Sequence, residues 1–278
     1  MATLTRPIFL LTDFGTRDHY VGQVKAIIAG IAPGCPIYDL SHDVEPFAVE
    51  EGAWLLEISI DLLPEDAVVM AVVDPGVGTH RRAVVVQAGG RTFVGPDNGV
   101  LSGVAPASLR GIGRAFEARR VRLQAAVPEV RELCEPMLMR REVSNTFHAR
   151  DVFAPATAHI AAGADYRRAG PPQGDMVLLP EFCGKPAGMG VLEGEVIHVD
   201  RFGNLITTVR ARQLFPRFEL EVGGRVVDTQ VRTFAEARPG TLFCHVDSSG
   251  FVAVAMNKGD AASALEARRG NPVRVHAR

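Results

Sequence analysis

The sequence predicts an α/β protein with an N-terminal layered domain around a central, mostly parallel sheet and a smaller C-terminal antiparallel domain of β-barrel type. Three observations carry that expectation. The 278 residues exceed what one hydrophobic core usually organises. Strand-like and helix-like stretches alternate through the first part of the chain, as in a sheet layered by helices. Past residue 170 the texture changes to short alternating or β-branched runs punctuated by glycine, the pattern of a small barrel or sandwich. The expected division is residues 1–170 for the α/β domain, 171–187 for a linker and 188–278 for the barrel.

The opening strand is "PIFLLTDFG", apolar until Thr12 and Asp13. A polar turn leads into "YVGQVKAIIAGI", apolar at helical spacing and stopped by Ala32-Pro33-Gly34. "PIYDLSHDV" gives a second strand, and "AVEEGAWLLEISIDLL" a second helix with Trp54, Leu55, Ile58 and Leu62 on one face, ended by Pro64. "AVVMAVVD" is nearly all apolar, as a strand covered on both faces would be. Two further strands, "RAVVVQA" and "RTFVGPDNG", flank the Gly89-Gly90 turn. The arginine-rich run from Arg110 to Arg122 lacks interleaved aromatics, and acids return at Glu129, Glu132 and Glu135, which favours a solvated face or subunit edge over a nucleic-acid patch. "FHARDVFAPATAHIAAG" resumes a helix that ends at Gly163, and "RRAGPPQGD" supplies the linker signal. The runs "MGVLEGEVIHVDRFGNLITTV", "RFELEVGGRVVDTQV", "TLFCHVDSSGFVAVAMN" and "NPVRVHA" then build the second domain.

A formal net charge of -2 gives no electrostatic case for nucleic acid. No stretch approaches the ~18 consecutive apolar residues of a membrane span, and "MATLTRPIFLLTDFG" lacks the basic start and cleavage site of a secretory leader, so a cytoplasmic protein without membrane partners is expected. Cys35, Cys134, Cys183 and Cys244 stand apart with no C-x-x-C spacing, which argues for reduced thiols. "SHDVEP" clusters His42 with Asp43 and Glu45, yet both acids suit turn or cap roles; no metal or cofactor is implied. A dinucleotide fingerprint would need glycine where Arg81 stands, the P-loop pattern is absent, and "DFG" at Asp13–Gly15 has no kinase context.

The chemistry-bearing stretch is "VVDPGVGTHRRAVVV". If its two apolar runs are strands of one sheet joined only by residues 74–81, Asp74 and Arg81 emerge at one end of that sheet. Ligands of α/β sheets favour the carboxyl ends of strands, where Asp13 also falls. A surface ion pair stapling the turn explains the same residues. His148, just before a helix opened by Arg150 and Asp151, suits a cap or packing role. In one cleft with an arginine and an aspartate it could instead orient and deprotonate water. "VDRFGNLIT" sets Asp200 and Asn204 around Phe202 and Gly203, either as loop chemistry or as a polar grip on an amino-acid-like group. "DSSGF" adds hydroxyls at Ser248 and Ser249.

Taken together, "TDFGTRDHYVGQVKA", "DLSHDVEPFAVEEGAWLL", "VVDPGVGTHRR", "GPDNGVL", "FHARDVFAPATAHIA", "HVDRFGNLIT" and "SSGFVAVAMNKGDAASAL" resemble the S-adenosyl-L-methionine (SAM) hydrolases, which belong with the SAM-dependent chlorinases and fluorinases in the SAM hydroxide adenosyltransferase superfamily. The resemblance thins between about residues 105 and 142. It implies hydrolysis of SAM to adenosine and L-methionine by water attacking C5′, with Asp74, Arg81 and His148 as the water-handling triad. It further implies a ribose contact at Asp13, an aromatic wall at Phe47, an adenosyl-pocket aromatic at Phe202, and methionine contacts at Asp200 and Asn204 with Ser248 beside them. A homotrimer follows from the resemblance too, with each site between one subunit's N-terminal domain and its neighbour's barrel. Ala149 stands where the family usually has glycine, Thr208 where asparagine is common, and Ser249 at an arginine position of the fluorinases; the triad is intact. The sequence leaves two alternatives. One is a SAM-dependent, chlorinase-like halogenase, although members with that activity replace the triad aspartate; the other is a SAM- or adenosine-binding protein without turnover.

Overall fold

The computed structural model describes residues 5–123 and 127–278. The first four residues of the stretch weighed as a leader therefore lie outside the described residues. The chain divides into two compact units, one built from the described residues of Met1–Arg110 and Ala118–Leu179, the other from Gly111–Glu117 and Pro180–Arg278.

In the first unit β1 (Ile8–Thr12), α1 (Tyr20–Ile31), β2 (Ile37–Ser41), α2 (Val49–Ile60) and β3 (Val68–Val72) follow the predicted alternation. β4 (Ala83–Ala88) and β5 (Arg91–Pro96) form the next hairpin. Short helix α3 (Ala107–Arg110), strands β6 (Arg119–Arg122) and β7 (Glu129–Glu132), and helix α4 (Ala154–Ala161) come after it. Two short strands, β8 (Pro172–Gln173) and β9 (Asp175–Leu178), end the unit. The main sheet runs β2-β1-β3-β5-β4-β7-β8. It is mixed: β2, β1, β3 and β5 are parallel, and each later neighbour is antiparallel.

β3 reads as an unbroken apolar run because both of its faces are covered. Val68, Met70 and Val72 pack with Val24 and Ile28 of α1 and with α4 residues such as Ile160. Val69 and Ala71 point the other way, toward Leu56 of α2, Leu101 and Met176. Full burial of each such side chain stabilises the fold by roughly 1.5–3 kcal/mol, so the period-two alternation is strongly enforced. The second helix differs from its predicted face at one end. It stops at Ile60, and Leu62, expected on the apolar stripe, sits in the following turn at 85 % exposure. Residues 172–178, where prolines and glycines suggested a linker, carry β8 and β9. β8 pairs with β7 at the sheet edge, where proline forfeits no ladder bond, and β9 pairs with β6.

In the arginine-rich segment Arg114, Arg119, Arg120 and Arg122 are exposed, as a solvated face requires, and Arg110 alone of its arginines is buried. Arg110 is 2 % exposed, and its guanidinium meets Glu57 and the Leu179 carbonyl. Arg120 joins Asp97 and Asp175.

The second unit is an antiparallel sheet. Its strands are β10 (Lys185–Pro186), β11 (Val191–Val199), β12 (Leu205–Arg210), β13 (Phe218–Val222), β14 (Arg225–Val227), β15 (Leu242–Val246), β16 (Phe251–Met256) and, after helix α5 (Ala261–Leu265), β17 (Pro272–Ala277). Their order is β14-β13-β17-β11-β12-β16-β15, with β10 on β11. Hydrogen bonds from Cys244 N–H to the Thr229 carbonyl and from Val231 N–H to the Cys244 carbonyl draw the two ends together into a nearly closed barrel. Its interior is Val196, Leu205, Val209, Leu220, Val254 and Val275. Burial there pushes the Cys244 thiol up to about 12, so this cysteine stays an inert thiol.

Candidate active site

β1 and β3 are parallel neighbours with Thr12 opposite Val72, so Asp13 and Asp74 leave adjacent strands at the same carboxyl edge. β5 ends at that edge too, and Asn98 donates from Nδ2 to the Val73 carbonyl at 2.8 Å, pinning the residue before Asp74. β4 then starts from the same edge with Arg81 and Arg82 just ahead of it. The two arginines part company. Arg82 turns to Asp97, whose side chain is fully buried, at 2.7 Å and to Asp175 at 2.6 Å, which ties β4 to the segment carrying β9. Arg81 turns to Asp74.

Arg81 Nε lies 3.0 Å from each Asp74 oxygen and Nη2 lies 2.5 Å from Oδ2. Nη2 is also 2.8 Å from His148 Nδ1, and the guanidinium sits 5.3 Å above the Phe153 ring. A surface staple would be solvated. Here the Asp74 side chain is only 5 % exposed and that of Arg81 11 %. Because a guanidinium can only donate, Nδ1 of His148 must accept, which places the proton of the neutral ring on Nε2. Burial first, and then the charge of Arg81, hold His148 below the ordinary histidine range against the opposing pull of Asp74 and Asp151. Its resting form is therefore neutral, with a fixed tautomer.

The loop from Asp74 to Arg81 needs its glycine at 78. Gly78 has φ +77°, and a Cβ there would stand 2.3 Å from the Asn145 carbonyl oxygen. That contact brings the loop bearing Asp74 and Arg81 against the one leading into His148. Phe147 is fixed in turn by edge-on contacts with Phe14 and Tyr20. Immediately after His148, residues 149–153 form a π-helical turn before α4, with the Ala154 N–H bonded to the Ala149 carbonyl. Such wider turns recur where a side chain must be re-aimed, since one added residue rotates its position by about 100°.

Asp13 and Phe47 belong to the same mouth. An Asp13 oxygen accepts the Phe47 N–H at 2.9 Å, and Phe47 takes the left-handed conformation, φ 70°, and is 72 % exposed. A non-glycine residue in that region costs roughly 1–3 kcal/mol and persists only where its surroundings impose it. Burial, with the negative charge of Asp74 adding to it, raises the Asp13 carboxyl above its ordinary range despite the bond from Phe47. Asp13, Phe47, Asp74, Arg81 and His148 thus all sit on the first unit, and its strand ends bring Asp13 and Phe47 to the edge that carries the three others.

The remaining predicted residues are on the barrel. Asp200 closes the β11–β12 turn: Oδ1 accepts the N–H groups of Phe202 and Asn204 at 2.9 Å, and Oδ2 accepts Asn204 Nδ2 at 2.8 Å. Gly203, φ +78°, passes so close to Asp260 that any Cβ would overlap its carboxylate. Asn204 is buried and Phe202 projects at 76 % exposure. Ser248 is not beside this group. It lies on the β15–β16 turn, whereas Leu205 pairs with Val254 near the far end of β16, so the two turns are separated by the length of that strand, about 17 Å. The "SHDVEP" histidine has a packing role, with His42 buried and its Nδ1 2.7 Å from Thr12 Oγ1.

Sequence patterns alone did not single out Arg82, Asp97, Asn98 and Asp151 as the scaffold of this edge. Arg82 and Asp151 were signalled only by position, beside Arg81 and three residues past His148, and Asp97 and Asn98 only by the motif "GPDNGVL".

Residues 8–170 match the sequence model of the SAM hydroxide adenosyltransferase N-terminal domain, and residues 194–274 that of the corresponding C-terminal domain. The chain belongs to the SAM hydroxide adenosyltransferase family. Among relatives of this family member, a protein named (R)-S-adenosyl-L-methionine hydrolase from Thermus thermophilus is 42 % identical over 97 % of this chain and 99 % of its own. A fluorinase from an Actinoplanes species is 28 % identical over 96 % of each. The crystal structure of an uncharacterized conserved protein from Thermotoga maritima aligns with a TM-score of 0.81 at 34 % identity, covering 98 % of this adenosyltransferase-family chain and all of that one.

Proposed function

We propose that this protein is a hydrolase that converts SAM to adenosine and L-methionine, with Asp74, Arg81 and His148 positioning and deprotonating the water that attacks C5′. The observation that carries the reading is the buried Asp74–Arg81–His148 chain of contacts, together with the full-length likeness to a named SAM hydrolase. In the reaction the water oxygen bonds to C5′ as the C5′–S bond breaks, both of its electrons going to sulfur, which leaves as the neutral thioether of methionine. The attacking water meanwhile becomes a protonated alcohol, acidic enough to yield its proton to the Asp74 carboxylate that Arg81 holds in place. Asp74 retains lone pairs beyond those facing Arg81 and is the acceptor in this scheme. His148 carries its proton on Nε2 and acts as an orienting donor. The Asp74–Arg81 pair is neutral overall, so it does not repel the sulfonium, and a dry mouth favours a transition state in which that charge is being dispersed. Fixing one water in line behind C5′ supplies part of the ~7–11 kcal/mol available from proximity.

Asp13 is assigned to the ribose hydroxyls and Phe47 to the wall beside the reacting carbon. Asp200, Phe202 and Asn204 form one set of barrel contacts for substrate, and Ser248 a second, separate one. The working unit is a cytoplasmic homotrimer in which one copy's barrel completes its neighbour's site. The high exposure of Phe47 and Phe202 in the single chain supports that arrangement. No described helix is long and apolar enough to cross a membrane.

Chromatography of SAM incubations in chloride-free and chloride-containing buffers tests the reaction. Adenosine and methionine in both are expected. 5′-Chloro-5′-deoxyadenosine in the second would make the protein a halogenase, and binding without any product would make it a non-catalytic SAM-binding protein. Mixing and reassembling inactive Asp74→Ala and Asn204→Ala chains tests the shared site. About a quarter of the sites should then be intact if each draws on two copies, and no recovery would contradict the arrangement.

A further inference from the structure

We propose that Asp151 is the positioning residue of His148, locking the loop of residues 140–147 onto the π-helical turn so that Nδ1 meets Arg81. The assignment rests on the hydrolase reading only in naming what His148 is positioned for.

The accounting begins with Pro155, which has no N–H. The Asp151 carbonyl consequently lacks the helical donor four residues ahead, and it accepts the Arg140 N–H instead, at 2.9 Å. The Asp151 N–H bonds back to the Phe147 carbonyl, so its main chain grips the loop at two points. The carboxylate adds four more bonds and is fully buried. Oδ1 accepts Arg150 Nε at 2.7 Å and Arg140 Nη1 at 2.8 Å, while Oδ2 accepts Arg150 Nη2 and the Ser144 N–H, both at 2.9 Å. One anion thereby neutralises two arginines and ties the loop to the turn through Arg140, Ser144 and Arg150. Arg150 carries the restraint further, reaching Gln23 on α1 and lying over the Phe147 ring.

The loop gripped in this way contains Asn145, whose carbonyl abuts Gly78 in the loop of Asp74 and Arg81. Both approaches to the triad are therefore referenced to one buried carboxylate that does not itself contact Asp74 or Arg81. Arg81 and Asp74 face His148 from the loop after β3, Asp151 and Arg150 lie on its own element, and Arg140 comes from the preceding loop. Asparagine at 151 would keep the shape but present an NH2 group to donors and leave both guanidinium groups uncompensated.

The test is Asp151→Asn in the full-length protein, with Arg140→Gln as a milder variant that removes one carboxylate contact at a partly exposed position. Two readouts are needed: kcat and KM for SAM, and the ring-nitrogen NMR signature of the His148 tautomer. Asp151→Asn is expected to lower kcat by roughly 10- to 100-fold, the cost of a misplacement near 1 Å, with KM little changed. It is also expected to turn the single Nε2–H tautomer into a mixture. Should Asp151→Asn not fold, Arg140→Gln is expected to shift both readouts in the same direction by less. A folded variant with wild-type kcat and a single tautomer overturns the assignment. Absence of adenosine from the wild type would overturn the hydrolase reading instead, and the tautomer readout would still decide the role of Asp151.

Discussion

Replacing Arg81 with lysine isolates what the planar guanidinium contributes. Arg81 spans two partners, meeting both Asp74 oxygens from its Nε edge and His148 from Nη2. Lysine keeps the charge but offers one compact ammonium, which cannot reproduce that fork. With Asp74 as the opposite charge, the ammonium stays there and the bond to His148 is lost. A hydrogen bond to a charged group contributes about 1.5–3 kcal/mol, and at about 1.4 kcal/mol per factor of ten the expected fall in kcat is roughly 10- to 150-fold. KM should move little, because the lost contact lies within the triad. Adenosine release measured over a range of SAM concentrations, on protein shown by thermal unfolding to be folded, gives both constants. A kcat within about twofold of wild type, or a raised KM with kcat intact, would refute the bridging role.

Other consequences follow from the same edge. His148 is held below the ordinary histidine value of about 6.5, so kcat should be flat near neutrality and fall only as pH drops through that depressed value. The unfolded chain takes up this proton first, so stability also declines as pH falls below about 6.5; an acid limb of kcat at or above that pH would contradict the assignment. Asp97→Ala strips a fully buried carboxylate from Arg82 and Arg120. Both arginines keep Asp175 while the Val177 N–H loses its acceptor, so the substitution should cost about 1–3 kcal/mol in denaturant unfolding, with most of the activity per folded molecule retained. Gly78→Ala forces a Cβ toward Asn145 at a positive φ, and should lose about 1–3 kcal/mol of stability together with kcat. An unchanged variant would show that the two loops are not in contact.

The elements most legible in the sequence are those whose physics is local. β3 announces itself because both faces are buried, and the break at Asp74 marks the strand end that β1 and β5 share. The triad residues were singled out by motif, but their burial could not be read from the chain, since a solvated staple uses the same residue types. Less legible are roles that depend on a partner far along the chain. Arg82 looks equivalent to Arg81 until Asp97 and Asp175 claim it, and Asp151 looks like a helix-opening acid until Pro155 frees its carbonyl for Arg140. Prolines and glycines at 170–175 hid β8 and β9, because edge pairing tolerates them. Ser248 illustrates the opposite error. Motif order placed it beside Asp200 and Asn204, while hairpin connectivity sends its turn to the other end of β16.

The most direct test of the chemistry is the fate of oxygen. Turnover of SAM in water enriched in heavy oxygen, analysed by mass spectrometry of both products, should place the label on the 5′-hydroxyl of adenosine and leave methionine unlabelled, with Asp74→Ala suppressing its appearance. Unlabelled adenosine, label in methionine, or full turnover without Asp74 would contradict attack at C5′ by a water that this triad holds.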